Sequence, residues 1–211
     1  MTYIIAELGI NHNGDLDTAL RMIDAAVQTG ADAVKFQKRT PELCTPDSQK
    51  GVMRETPWGY ISYLDYRKAV EFGHVAFRKI AFHCAGKVDW FASVWDEPSV
   101  DFMEDFNPTY YKIPSACLTN HALLKLVKES GRPVILSTGM STMEQIREAV
   151  RVLGTDNLTL MHCTSTYPCP VDELNLRMIP ALINEFGCPV GYSGHEVGIS
   201  PSVIAVALGA C

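Results

Sequence analysis

Six short apolar runs in this chain each end in residues fit for chemistry. Ile4-Ile5-Ala6 stops at Glu7, Ala33-Val34 leads to Lys35 and Gln37, and Tyr110-Tyr111 meets Lys112 and Ser115. Val134-Ile135-Leu136 ends at Ser137 and Thr138, Leu158-Thr159-Leu160-Met161 at His162, and Pro189-Val190-Gly191-Tyr192 at Ser193 and His195. Lysine is a compact point charge and a serine hydroxyl a short donor, so Lys35, Lys112, Ser115, Ser137 and Ser193 suit a phosphate or carboxylate. Any one of them alone reads as a surface charge or turn residue; the set reads as an anion site. Glu7 closes an apolar run, where a carboxylate needs a metal, a lysine or a sugar beside it. An internal salt bridge with Lys35 and a catalytic role both fit it. Gln37 shares a strand face with Lys35 and can point the same way. His195, in the flexible Tyr192-Ser193-Gly194-His195-Glu196 stretch, offers a neutral imidazole to manganese or a similar ion. His162 reads as a hydrogen-bonding support, and His12 as a substrate contact or a turn holder. His74, His83 and His121 fall on helices or their caps.

Something must position these tips, and the spacing supplies it. Strands are predicted near residues 3–8, 32–37, 89–94, 109–113, 134–138, 158–162 and 189–192. A helical pattern follows almost every one. Leu20, Ile23 and Val27 keep helical spacing after a cap at Asp15 or Asp17, and Gly30 ends that helix. Leu64, Val70, Phe77 and Ile80 predict a second helix, and residues 98–106 a short one. Thr119 or Asn120 caps the next, which Gly131 stops. Ser141-Thr142-Met143-Glu144 fits an S-x-x-E capping box. Helices near 173–186 and 200–209 complete the series. Lys38 to Tyr60 has Pro41, Pro46, Pro57, Gly51 and Gly59 and no period, which predicts a lid or binding loop.

Alternating strands and helices with chemistry at the strand ends predict an α/β fold of the TIM (β/α)8 type. Seven strand–helix units are present, where a complete barrel of about 250 residues has eight. Residues 1–211 therefore read as a single, incomplete barrel domain. An open doubly wound sheet uses the same alternation, but no G-x-G-x-x-G follows the first strand.

The 211 residues carry a net charge of -6, which argues against non-specific nucleic-acid binding. No apolar run reaches membrane-spanning length and no basic segment precedes the first strand, so neither an anchor nor a signal peptide is expected. Seven cysteines, odd in number and without a C-x-x-C pair, predict reduced thiols and a cytoplasmic location.

The motifs resemble one family throughout. Ile5-Ala6-Glu7-Leu8-Gly9-Ile10-Asn11-His12-Asn13-Gly14, Ala33-Val34-Lys35-Phe36-Gln37 and Tyr111-Lys112-Ile113-Pro114-Ser115 are similar to segments of the sialic acid synthases. So are Ile135-Leu136-Ser137-Thr138-Gly139-Met140-Ser141, His162-Cys163-Thr164-Ser165-Thr166-Tyr167-Pro168 and Gly191-Tyr192-Ser193-Gly194-His195. The resemblance implies a barrel synthase that condenses phosphoenolpyruvate with an N-acetylmannosamine-like, N-acylated amino sugar. The product would be a sialic acid or related nonulosonic acid, with phosphate released. It further implies a divalent metal (Mn2+ or Mg2+) held by His195, phosphate held by Lys112, Ser115, Ser137 and Ser193, and carboxylate held by Lys35. Gln37 and Tyr167 become sugar contacts, and a homodimer is allowed by analogy.

Three departures stand against that pattern. Ala116-Cys117 replaces the small-plus-acidic pair that usually follows the Lys112–Ser115 segment, which puts sugar specificity or activity in question. Ser165 stands where many members have another polar residue. The second metal-binding histidine of strand eight and the C-terminal antifreeze-like domain are expected to be absent. Two alternatives follow: a lysine acting through a Schiff base, as in aldolases on this fold, or a truncated or degenerate relative that binds a sugar or a partner without turnover.

Overall fold

The computed structural model describes residues 2–211, which divide into two compact units. The first is Ile4–Thr109; the second is Tyr110–Cys211 together with residues 2–3.

In the first unit β1 (Ile5–Gly9), α1 (Leu16–Gln28) and β2 (Ala33–Lys38) come in order, and β1 pairs with β2 in parallel. Asp15 caps α1 by accepting from the Asp17 and Thr18 backbone N–H groups. The expected loop from Lys38 to Tyr60 contains structure instead: α2 (Pro41–Cys44), α3 (Asp47–Lys50) and an antiparallel hairpin of β3 (Met53–Thr56) and β4 (Gly59–Ser62). Each piece has four residues, too few to show a period. The expected second helix is two, α4 (Tyr63–Ala69) and α5 (His74–Cys84), parted by Val70–Gly73. β5 (Asp89–Val94) pairs with β2 in parallel, and α6 (Glu97–Glu104) follows.

Helices cover one sheet face here, and the core lies between. Ala19, Ile23 and Ala26 of α1 and Phe77, Ile80 and Cys84 of α5 are buried. Phe77 stands at the centre, its ring 5.5 Å from Phe102, 5.8 Å from Trp90 and 6.1 Å from Phe36. Aromatic edges and faces at these distances add specific attraction to area burial.

The second unit holds β6 (Tyr111–Ile113), α7 (His121–Glu129), β7 (Val134–Ser137), α8 (Met143–Leu153), β8 (Leu158–His162), α9 (Met178–Phe186), β9 (Val190–Tyr192) and α10 (Ser200–Ala207). β6, β7, β8 and β9 pair successively, all parallel. Asn120 caps α7. The capping box of α8 lies one residue beyond the expected place: Thr142 is the cap and Gln145 its reciprocal partner, with Glu144 in the first turn. The helix expected over 173–186 starts at Met178, after a 3-10 turn at Val171–Glu173. Among the described residues seven parallel strands, beside the β3–β4 hairpin, alternate with helices as the spacing predicts.

Candidate functional site

In the first unit the register places Glu7 beside Lys35 and Gln37 beside Ser93. Alternation then sets these four side chains on one face, opposite the buried Val34 and Phe36. Glu7 Oε2 is ion-paired with Lys35 Nζ, which also donates to Ser93 Oγ at 3.1 Å. The lysine is the more buried partner and the carboxylate is half-exposed. The internal salt bridge that the residues allowed for Glu7 is therefore formed. Ser93, buried in the Phe91-Ala92-Ser93-Val94 strand, escaped sequence reasoning; a lone polar residue in an apolar strand was its one signal.

At the end of β2 lies a buried charged network. Arg39 donates to Gln37 Oε1 and is ion-paired with Glu71 at 2.5 Å. Lys38 approaches Glu71 at 3.6 Å and donates to the Phe72 carbonyl at 3.2 Å. Burial pushes the Glu71 carboxyl up from its ordinary range, while Arg39 and Lys38 pull it back. Asp96 accepts from Thr40 N at 2.6 Å, Ser99 N at 2.8 Å and Ser99 Oγ at 2.7 Å, and so joins the ends of β2 and β5.

His12 is 3% exposed and lies stacked on Phe72, with 4.0 Å between ring centroids. Its Nδ1 accepts from the Gly14 N–H at 3.0 Å. That is the turn-holding role rather than the substrate-contact one.

In the second unit Lys112, Ile135 and Thr159 stand side by side across β6, β7 and β8, followed on the same face by Ser137, Met161 and Gly191. Burial pushes the Lys112 ammonium down to about 8, partly offset by the nearby Cys163 and Cys117 thiols. Ser115, in the 3-10 turn after β6, accepts from the Gly139 N–H at 3.0 Å and lies 3.2 Å from Cys163 Sγ. A side-chain carbon on Gly139 would press on the tips of Ser165, Ser115 and Cys163, so the glycine leaves these three room. Lys112, Cys163 and Ser115 thus gather at the strand ends, with the buried Ser137 on the lysine's face. Cys163 and Gly139 were not singled out as site residues in the sequence, because a thiol and a glycine carry no charge signal.

Ser193 follows β9, its N–H donating to the His162 carbonyl at 2.9 Å. The His162 ring nitrogen Nε2 donates in turn to the Leu174 carbonyl at 2.8 Å. His195 Nδ1 donates to the Thr164 carbonyl at 2.7 Å. That bond fixes the tautomer and leaves Nε2 as the lone-pair nitrogen, which is the state a metal-ligating histidine needs. The exposed Tyr167 ring stands edge-on to it at 5.3 Å. Among the described residues no three His, Cys, Asp or Glu side chains gather as a metal cluster. His195 fits a metal as one ligand, and the remaining ligands are not assembled from these residues.

A profile of the NeuB family matches residues 22–211. The chain belongs to the NeuB family. It is 38% identical over 218 residues to N,N'-diacetyllegionaminic acid synthase of Campylobacter jejuni, covering 100% of this chain and 65% of that protein. It is 39% identical over 217 residues to human N-acetylneuraminate-9-phosphate synthase, covering 99% and 59%. The crystal structure of N-acetylneuraminic acid (sialic acid) synthetase from Leptospira borgpetersenii, in complex with citrate, matches with a TM-score of 0.90 at 33% identity, over 99% of this chain and 70% of that one. The chain therefore spans about three fifths of the length of the curated relatives it matches. The resemblance carried by the motifs holds for the family, and the α/β barrel class holds for the fold. No described helix is long and apolar enough to cross a membrane.

Proposed function

We propose that this chain serves a phosphoenolpyruvate-dependent condensation with an N-acetylmannosamine-like amino sugar, giving a nonulosonic acid and inorganic phosphate. The observation that carries the reading is the family match over residues 22–211. Carbon 3 of phosphoenolpyruvate bonds to the aldehyde carbon of the open-chain sugar, water adds at carbon 2, and the carbon–oxygen bond to phosphate breaks. Lys112, Ser115, Ser137 and Ser193 hold the phosphate; Gly139, by donating to Ser115, leaves that hydroxyl's proton to point at an anion. Donors fixed before the reaction stabilise the charge of the departing phosphate without reorganising. Lys35 holds the carboxylate, and Glu7, compensated by Lys35, exchanges protons with water or a sugar hydroxyl. Gln37 and Tyr167 contact the sugar. When bound, manganese or magnesium would supply Lewis-acid polarisation of the aldehyde oxygen, with His195 Nε2 as one of its ligands. Seven free thiols suit a reducing compartment such as the cytoplasm, and a homodimer is the proposed assembly.

The test is phosphate release from phosphoenolpyruvate with a panel of N-acylated amino sugars, with and without manganese. Lys112→Met is expected to lower kcat/KM for phosphoenolpyruvate roughly 10²- to 10³-fold. In the wild type, phosphoenolpyruvate affinity should fall as pH rises through about 8, where Lys112 loses its charge. Phosphoenolpyruvate binding with no release for any sugar would replace the synthase reading with the binding-only one.

A second reading has one observation in its favour. Bringing the Lys112 ammonium down to about 8 raises its fraction of neutral amine, the form that adds to carbonyls. Borohydride reduction in the presence of a keto acid separates the two, since a covalent adduct on Lys112 supports Schiff-base chemistry and its absence supports the anion-binding role.

A further inference from the structure

Arg39 stands directly behind one of the proposed sugar contacts. It follows β2 and, by alternation, lies on the side of Lys35 and Gln37, yet it is 1% exposed. Its guanidinium is held from several directions: Nε pairs with Glu71 Oε1 at 2.5 Å, the Trp95 ring lies 5.2 Å away, and Nη2 donates to Gln37 Oε1. Guanidinium has five donors and no acceptor, so an amide that faces it must turn its oxygen inward.

We infer that Arg39 is a positioning residue that locks the Gln37 amide with its NH2 group toward the Glu7 side of the sheet face. The place that a side chain on Gly9 would fill lies 3.5 Å from Gln37 Nε2 and 3.0 Å from Glu7 Oε1. Gly9 has φ +55, a conformation in which glycine is favoured, and a side chain there would crowd both tips. The other oxygen of Glu7 pairs with Lys35. One donor and one acceptor therefore stand close together beside the Gly9 backbone, and the chemical group that satisfies both is a hydroxyl. It donates a hydrogen bond to Glu7 and accepts one from Gln37. The sugar as occupant rests on the proposed function; the orientation of the amide does not.

Four variants of the full chain test this. In Arg39→Met the KM for the amino sugar should rise about tenfold, the worth of one lost hydrogen bond, with the KM for phosphoenolpyruvate unchanged; Arg39→Lys should recover part of the loss. Glu71→Gln weakens the same ion pair while leaving Arg39 on Gln37, so it should lower Tm and leave the sugar KM unmoved. Gln37→Glu keeps the shape but removes the donor, and should raise the sugar KM at least as much as Arg39→Met. A tolerated Gln37→Glu, or a Glu71→Gln that copies Arg39→Met, would overturn the inference. If the wild type shows no turnover, the synthase reading fails separately and the amide still reports: its 15N heteronuclear NOE should be rigid in wild type and Glu71→Gln, and mobile in Arg39→Met. A Gln37 amide equally mobile in wild type would sink the lock.

Discussion

His12 shows how burial converts a titratable side chain into a structural one. With Phe72 against its face and Gly14 on Nδ1, its ring is pushed down to about 4 from 6.5, first by burial and further by the charge of Arg39. Between those values the unfolded chain binds a proton that the folded chain refuses. Stability from this group is therefore full above about pH 6.5, falls as pH drops, and levels out near pH 4. The shift corresponds to roughly 3 kcal/mol. Urea unfolding at pH 7, 5.5 and 4.5 should show this loss in wild type and a shallower slope in His12→Asn. Residue types were legible in the sequence, as Lys112 and Glu7 show, but their titration was not. Desolvation depends on neighbours that only folding brings close.

Among the elements, α6 and α8 are set by their first turns. Asp96 caps α6 while also holding Thr40 N and Thr40 Oγ1, the latter at 3.0 Å, so its loss orphans donors at the ends of two strands. Asp96→Ala should cost about 3 kcal/mol, against about 1 kcal/mol for Thr142→Ala at the more exposed cap of α8. Chemical denaturation of the two variants side by side checks the ranking. At α1 and α7 the sequence leaves two neighbouring candidates each, Asp15 or Asp17 and Thr119 or Asn120, and the backbone selects Asp15 and Asn120. At α8 two overlapping boxes compete, S-x-x-E and T-x-x-Q, and backbone geometry chooses the second. The hairpin of β3 and β4 was hidden for another reason: its exposed, mixed residues carry neither a period nor a dedicated turn dipeptide.

For the whole molecule, the order of strands and helices was legible because parallel strands leave apolar runs, and a polar tip at each end marks where a run stops. The partners of each tip were not. Ser115 with Gly139 and Cys163, and His195 with Thr164, are bonds between segments 24 to 48 residues apart, and no local pattern encodes them. The seven thiols follow the same logic. Five are buried, Cys44 is half-buried beside the Asp96 carboxylate, and Cys211 is exposed. A neighbouring carboxylate disfavours the thiolate that alkylation needs. Native-state reaction with a maleimide should accordingly modify one cysteine quickly, with all seven reacting in denaturant; mass spectrometry would locate the first adduct.

That lone outward thiol also gives the chain a built-in handle. Through Cys211 a dye or a sensor chip could be attached at one defined position, with no engineered residue and every proposed substrate contact left unmodified.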